Sequence, residues 1–406
     1  MNQDYDVIIL GLSRWDYTLG STTLSFAKEF AKTNRVFYID RPYSIKDYYS
    51  EKHLDTFAHR KNAIFKGRDI YKEVNTDGVS FIAVTPKVNL PINALPKGFL
   101  YNTFSALNDK SLDTVLNRII KDYNVKEYIY INSFLPVNYK VIPKKIKQPI
   151  ANIYQSVDDI SQESYIAKHG IMHEKIAVQK CDIAIASSIE LCRRLTTNIK
   201  KVHLIPNAAD TSLFNSTFNK NIPKPLEIQQ AKGKIIIFTG NLNSLRMDYA
   251  LLAKIAEQRP NDTLLIIGPY SEEDYQKYNF ANYSNMVFTG RKPIETLPDY
   301  LRFADCAIIP FLKNQLTKSI YPLKINEYLA AGLPVVTTDF SPDIESFAHV
   351  VYMATDNQSF LQQIQKSMDE NNEEKKLQRV NESKNNTWED RVKRLKKLVT
   401  EYVSNQ

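Results

Sequence analysis

Lys324 and Glu327 stand three residues apart within residues 319–339, Ser-Ile-Tyr-Pro-Leu-Lys-Ile-Asn-Glu-Tyr-Leu-Ala-Ala-Gly-Leu-Pro-Val-Val-Thr-Thr-Asp. On a helix, that spacing sets both side chains on one face. Pro322 suits the first turn of such a helix, where a missing N–H costs nothing. Gly332 is placed to close it in a left-handed conformation, and Pro334 prevents its continuation. The β-branched run Val335-Val336-Thr337-Thr338 then reads as a strand buried on both faces. A helix start offers free N–H groups and a positive dipole end, which together attract phosphate. Lys324 adds a cation there. Glu327, one turn in, can accept two hydroxyl hydrogen bonds, as a ribose diol would offer. A nucleoside-diphosphate site is one reading of this stretch. A surface helix with an incidental ion pair is the other.

Further polar residues fall where loops follow apparent strands. Asp158 and Asp159 end the run 149–155. Paired carboxylates there can bind sugar hydroxyls or take a proton, or cap a helix by accepting its free N–H groups. Gly11 closes the opening run Asp-Val-Ile-Ile-Leu, and Trp15 and Asp16 lie in the loop that follows. Trp15 can stack on a sugar or lipid, or merely pack. With 11 glycines in 406 residues, each one more plausibly marks a backbone requirement. Gly11, Gly240, Gly268 and Gly290 all stand where a loop leaves a strand.

These loops need a scaffold, and the chain supplies one by alternation. Residues 5–11, 35–40, 79–85, 127–131, 149–155, 183–187 and 202–205 read as strands. Residues 20–33, 108–123, 163–180 and 189–197 read as helices. The stretch 44–75 reads as irregular. After residues 212–232, polar and carrying Pro223 and Pro225, the pattern restarts. Strands are expected at 234–239, 263–267, 286–289, 306–310 and 350–353, with helices at 246–258 and 294–304. Such alternation predicts doubly wound α/β sheets. Residues 1–211 form one expected domain, 212–232 a linker, 233–385 a second domain and 386–406 a final amphipathic helix. No Gly-x-Gly-x-x-Gly run follows the first strand, so a dinucleotide fingerprint is absent.

Residues 327–336, Glu-Tyr-Leu-Ala-Ala-Gly-Leu-Pro-Val-Val, resemble the C-terminal signature of retaining, GT-B-type glycosyltransferases of family 4. Thr289-Gly290-Arg291, Leu297–Leu301, Ala304–Pro310 and Leu204–Asp210 match the same families. The Pro322-Leu323-Lys324 version is similar to a subgroup that assembles bacterial surface polysaccharides, and the likeness reaches the loop with Trp15 and Asp16. The resemblance covers about residues 1–350. It implies two Rossmann-like domains facing across a cleft and a nucleotide-sugar donor. It also implies a lipid-linked or glycan acceptor, retention of anomeric configuration and no cofactor.

By the same resemblance, the donor is held by Gly240, Asn241, Arg291, Lys292, Ser319, Tyr321, Pro322, Leu323 and Glu327. Arg246 and Lys324 take the diphosphate, while Asp158 and Asp16 belong to the chemistry on the first domain with Gly11 and Trp15. Arg246 pairing with Asp248 is the bland alternative. Family members often carry a second acid eight residues before the helix glutamate, where this chain has Ser319. The resemblance also implies that the final helix packs back on the first domain. A nucleotide-sugar epimerase, a phosphorylase and a non-catalytic binding protein are alternatives on the same fold.

Bulk properties narrow the field. Hydrophobic content is 43%, enough for real cores. No apolar run is long enough to span a membrane, and the acidic N-terminus does not read as a signal peptide. Three scattered cysteines read as reduced thiols of a cytoplasmic protein. His169 and His173, four apart, lack a further ligand, so no metal site is expected. Net charge is +8. Without a basic-aromatic module, it suits an acidic substrate and contact with an anionic membrane better than nucleic acid.

Overall fold

Eight strands form the first sheet: β1 (Asp6–Gly11), β2 (Val36–Ile39), β3 (Tyr71–Thr76), β4 (Val79–Val84), β5 (Tyr128–Ser133), β6 (Ala151–Ser156), β7 (Ile183–Ala186) and β8 (Val202–Leu204). Their order is β3-β4-β2-β1-β5-β6-β7-β8. The computed structural model describes residues 5–16, 21–141, 147–197, 200–218, 221 and 223–406. All neighbours pair in parallel except β3 with β4. The central strands are Val- and Ile-rich and buried on both faces, as parallel sheets covered by helices demand. Edge strand β3 is mostly exposed, and Asp77 and Gly78, both at positive φ, turn it into β4.

The second sheet holds β9 (Ile235–Thr239), β10 (Thr263–Ile267), β11 (Met286–Gly290), β12 (Cys306–Ile309), β13 (Val335–Thr338) and β14 (Tyr352–Ala354). It runs β11-β10-β9-β12-β13-β14, all parallel. The order reverses between β9 and β12. That reversal opens a crevice at the carboxyl ends of those two strands, where open α/β sheets bind ligands.

The chain divides into two units, Met1–Pro206 with Val392–Gln406, and Asn207–Arg391. The stretch 212–232, read as a linker from its polar composition, contributes two apolar anchors to the second unit. Phe214, on the short helix Thr211–Asn215, and Ile228 are both buried in its core. The final helix spans Trp388–Ser404. From Val392 onward it groups with the first unit, where Lys396 Nζ reaches Thr33 Oγ1 (2.7 Å) and Asn34 Oδ1 (2.8 Å).

Two segments differ from the sequence reading. Residues 44–75 hold three short helices, Ile45–Glu51, Asp55–Ala58 and Lys61–Lys66, besides β3. Aromatic edge contacts among Tyr43, Tyr48, Phe57 and Phe65 order them, a non-periodic signal. The helix read at 108–123 begins at Phe99 and runs to Asp122, because its first turns carry apolar residues on the solvent side.

Candidate nucleotide-binding site

The helix Leu323–Ala330 starts at the β9/β12 crevice. Pro322 occupies its N-cap, so the proline lies one place before the first helical residue. Gly332, at φ +76°, ends it as the sequence suggests, and the Leu333 N–H bonds back to Tyr328 O (3.0 Å). The helix is pinned to the sheet by one of its own side chains. Tyr328 Oη accepts the Thr239 N–H at 2.9 Å, tying the helix to the last residue of β9.

Close packing of strand-end loops sets the local shape. Gly240 has φ +142°, and a Cβ there would lie 2.3 Å from Lys324 Cε and 2.8 Å from its Nζ. A Cβ on Gly268 would lie 1.8 Å from Gly240 O. The Lys324 side chain therefore lies directly across the Gly240 backbone. Its Nζ stands 3.7 Å from Glu327 Oε2, an ion pair too long for a hydrogen bond. Glu327 is only 7% exposed, and its Oε2 is buried with no hydrogen-bond partner among the described residues. A buried carboxylate oxygen left open is costly, and marks a place where a hydroxyl would be welcome.

Arg246 lies in the loop after β9. Its backbone is fixed at both ends, the N–H on Asn243 O (2.9 Å) and the carbonyl accepting from Leu312 (2.7 Å). Its Nε is buried and lacks a hydrogen-bond partner among the described residues. Asp248, the alternative partner, instead caps the helix Tyr249–Gln258 by accepting the Leu251 N–H at 2.9 Å. Asn241, next to Gly240, is exposed.

Other expected donor contacts are placed differently. Ser319 is buried, and its hydroxyl donates to Gln315 O (3.3 Å). Tyr321 is buried too, its Oη accepting from Asn326 Nδ2 (3.1 Å). Arg291 and Lys292 follow β11, the sheet edge, with β10 between them and β9. Arg291 is exposed, while Lys292 pairs with Glu227.

On the first unit, Asp159 caps the short helical turn Ile160–Gln162, accepting the Ser161 N–H at 3.0 Å, and pairs with Arg194. Asp158 is half-buried beside it. Gly11 does not open space for a ligand: a Cβ there would lie 2.4 Å from Tyr38 Oη, whose hydroxyl donates to Ser13 O (2.7 Å). Asp16 is held by both terminal nitrogens of Arg60, at 2.7 and 2.8 Å. Arg60 also reaches Asp40 (3.3 Å), which accepts the Trp15 N–H (2.9 Å). Trp15 itself lies under Lys72 Nζ, 4.5 Å from the ring centre. Residues 17–20 of this loop lie outside the described residues. Burial pushes the Asp40 carboxyl up to about 7, with Arg60 and the Trp15 N–H opposing.

Sequence reasoning missed this Asp16–Arg60–Asp40 cluster; its one visible signal is an acid, Asp40, ending a buried strand. It also missed Glu174, buried and accepting from Ser156 Oγ (2.8 Å) and Tyr154 Oη (3.1 Å), with burial raising it to about 7. His169 and His173 are buried packing partners: Tyr101 stacks on His169 with ring centres 3.9 Å apart and meets His173 Nε2 at 2.8 Å. Among the described residues no group of three or more His, Cys, Asp or Glu is placed to hold a metal.

Comparison with known proteins identifies the second unit. Residues 233–370 match the family described as glycosyl transferases group 1. The second unit is a group 1 glycosyl transferase domain. Over 167 residues, the chain is 29% identical to TuaH of Bacillus subtilis (strain 168), whose name describes a teichuronic acid biosynthesis glycosyltransferase. That match spans 40% of this chain and 41% of the relative's length.

Sucrose-phosphate synthase from Thermosynechococcus elongatus superposes with a TM-score of 0.67 at 13% identity, covering 99% of this chain and all of that one. An α,α-trehalose 6-phosphate synthase from Burkholderia multivorans gives 0.67 at 8%, covering 99% and 100%. At those identities the likeness establishes the fold, GT-B, for the group 1 domain and its companion unit. The Lys324–Glu327 helix and the Gly240–Arg246 loop lie inside the group 1 domain.

Proposed function

We propose that this chain is a glycosyltransferase of bacterial surface-polysaccharide assembly. It moves a sugar from a nucleoside-diphosphate sugar to a lipid-linked or glycan acceptor. The observation that carries the reading is Glu327: a buried carboxylate with one open oxygen, beside a lysine laid over Gly240 at the sheet's reversal point. A ribose diol satisfies Glu327, and the diphosphate then meets Lys324, Arg246 and the start of the helix. The name of TuaH supports the polysaccharide setting.

In the reaction, the bond from the anomeric carbon to the leaving phosphate oxygen breaks and one to the acceptor oxygen forms. The nucleoside diphosphate leaves with the bonding electrons, and the acceptor's hydroxyl proton passes to a phosphate oxygen. Negative charge grows on the diphosphate, so cations fixed beforehand lower the barrier. Lys324 and Arg246 supply that charge without calling on a divalent ion, and turnover is expected to survive chelators. Retention of configuration is part of this proposal, in keeping with the resemblance to retaining family members. No described helix is long and apolar enough to cross a membrane. We place the reaction in the cytoplasm, in keeping with free thiols at Cys181 and Cys306.

Ser319 favours a second reading, a nucleotide-binding protein without turnover, because its buried hydroxyl is committed to Gln315 O. Two measurements decide. Calorimetry with UDP, GDP, ADP, CMP and dTDP should find one diphosphate bound at micromolar strength, and Glu327→Ala should weaken it by about 2 kcal/mol through lost bonds to a charged acceptor. Slow release of free sugar from the matching donor then separates enzyme from binding protein. Equal binding by Glu327→Ala, or none by wild type, removes the proposal.

A further inference from the structure

The start of the helix Phe99–Asp122 is unusual for a folded surface. Phe99 is 81% exposed and Leu100 57%, directly after Pro96-Lys97-Gly98. Leu107, two turns on, is exposed as well, and falls on the same helical face as Leu100. This tip is held rigidly. Buried Tyr101 stacks on His169 and its hydroxyl meets His173, so the tip is fastened to the helix Ser164–Lys180. The preceding loop is fastened to the same helix, with Lys168 Nζ on Ala94 O and His169 Nε2 on Leu95 O, each at 2.9 Å. That second helix exposes Ile171 and Met172, one of them a turn beyond Lys168. Five large apolar side chains thus face solvent on two helices locked together.

The exposed charges in these two stretches have one sign; the nearby acid, Asp109, is half-buried and accepts from Asn138 Nδ2 at 3.0 Å. From Leu90 to Asn108 the only charged side chain is Lys97, and it is exposed. On the second helix Lys168 and Lys175 are exposed, while Glu174 is buried against Ser156 and Tyr154. A rigid apolar tip ringed by lysines, with no exposed acid in either stretch, complements the interface of an anionic bilayer. A protein partner matched to this tip would need an apolar pocket with an acidic rim. A bilayer meets both demands over any area.

We infer that this face of the first unit docks on an anionic lipid surface, inserting Phe99 and Leu100 among the headgroups. It extends the proposed use of a lipid-linked acceptor, since docking would bring the chain to such a substrate. The test needs neither donor nor acceptor. Full-length protein is floated with vesicles of phosphatidylcholine alone or with phosphatidylglycerol added. Wild type should bind the anionic vesicles and lose binding at high salt. Phe99→Ser with Leu100→Ser should lower partitioning at least roughly tenfold, the loss expected when two apolar anchors are removed, with an unchanged melting temperature and unchanged nucleotide binding.

Phe99→Trp should report insertion directly, by a blue-shifted emission quenched by brominated lipid. Binding that survives the double substitution overturns the inference, as does absence of wild-type binding. So does a self-association in solution that the double substitution abolishes, because the face would then be covered by a second copy. Failure of this test leaves nucleotide binding intact, so it is distinguishable from failure of the glycosyltransferase reading.

Discussion

Replacing Gly240 by alanine tests the geometry of the donor site without touching any group proposed to contact the donor through a side chain. The added Cβ would stand 2.3 Å from Lys324 Cε and 2.8 Å from Nζ. Carbon atoms rest at about 3.5 Å or more, so the lysine must retreat by roughly 1 Å. The backbone resists as well, because φ +142° suits glycine and costs about 1–3 kcal/mol for a residue with a side chain. The two effects have separate readouts. Strain lowers stability whatever the site does, and denaturant unfolding measures it.

Displacement of the ammonium acts on phosphate. Moving a unit charge from about 3 to 4 Å from a phosphate, at an effective dielectric near 20, loses about 1.4 kcal/mol, or tenfold in affinity. Calorimetry should therefore find nucleoside diphosphate binding weakened about tenfold in Gly240→Ala, on the scale of that Coulomb term. The same loss should vanish in a Lys324→Met background, where no ammonium remains to displace. A variant that binds diphosphate as well as wild type refutes the placement of Lys324 over the phosphates. So does a full, additive loss in the Lys324→Met background.

Two further substitutions probe the first unit. Glu174 titrates near 7 when folded against 4.5 as the ordinary value, so the folded state binds its proton more tightly and this residue's contribution to stability falls as pH rises from about 5 to 8. Glu174→Gln keeps an oxygen for Ser156 and Tyr154 and removes that fall. It should be more stable than wild type at pH 8 by up to about 3 kcal/mol, and close to it at pH 5, in urea unfolding at the two values; an identical pH slope in both proteins refutes the assignment. Arg60→Met leaves Asp40 and Asp16 without their shared cation and should cost about 3–5 kcal/mol at pH 8. Without Arg60 to lower it, Asp40 titrates above its wild-type value of about 7, so the cost should shrink as pH falls toward 7 and level off below it, which melting temperatures across the range would show.

What could be read from the sequence, and what could not, divides by the range of the interaction. The unit at 319–339 was legible because its punctuation is local: Pro322 near the start, Gly332 at the left-handed close, Pro334 beyond. The strands were legible because parallel strands buried on both faces write continuous apolar runs. Phe99 escaped because periodicity finds helices by their buried stripe, and this helix begins with its apolar residues turned outward.

The fate of single charges was the least legible. Asp16 could be placed in a loop, but its partner Arg60 lies 44 residues on, brought there by short helices that aromatic packing, a capping box and the Arg14 ion pairs order. Lys292 could be placed after a strand, but its partner Glu227 lies 65 residues away. Of the two acids after β6, Asp159 meets Arg194, 35 residues further along the chain. The same logic singles out Glu327. Its neighbour Lys324 is local and was visible, yet the fold brings it no closer than 3.7 Å and leaves Oε2 buried and open. Every other buried acid named above, Asp40, Asp159 and Glu174, has hydrogen-bond donors from its own unit. Folding leaves that oxygen without a donor among the described residues, and a ligand carrying hydroxyls would supply one.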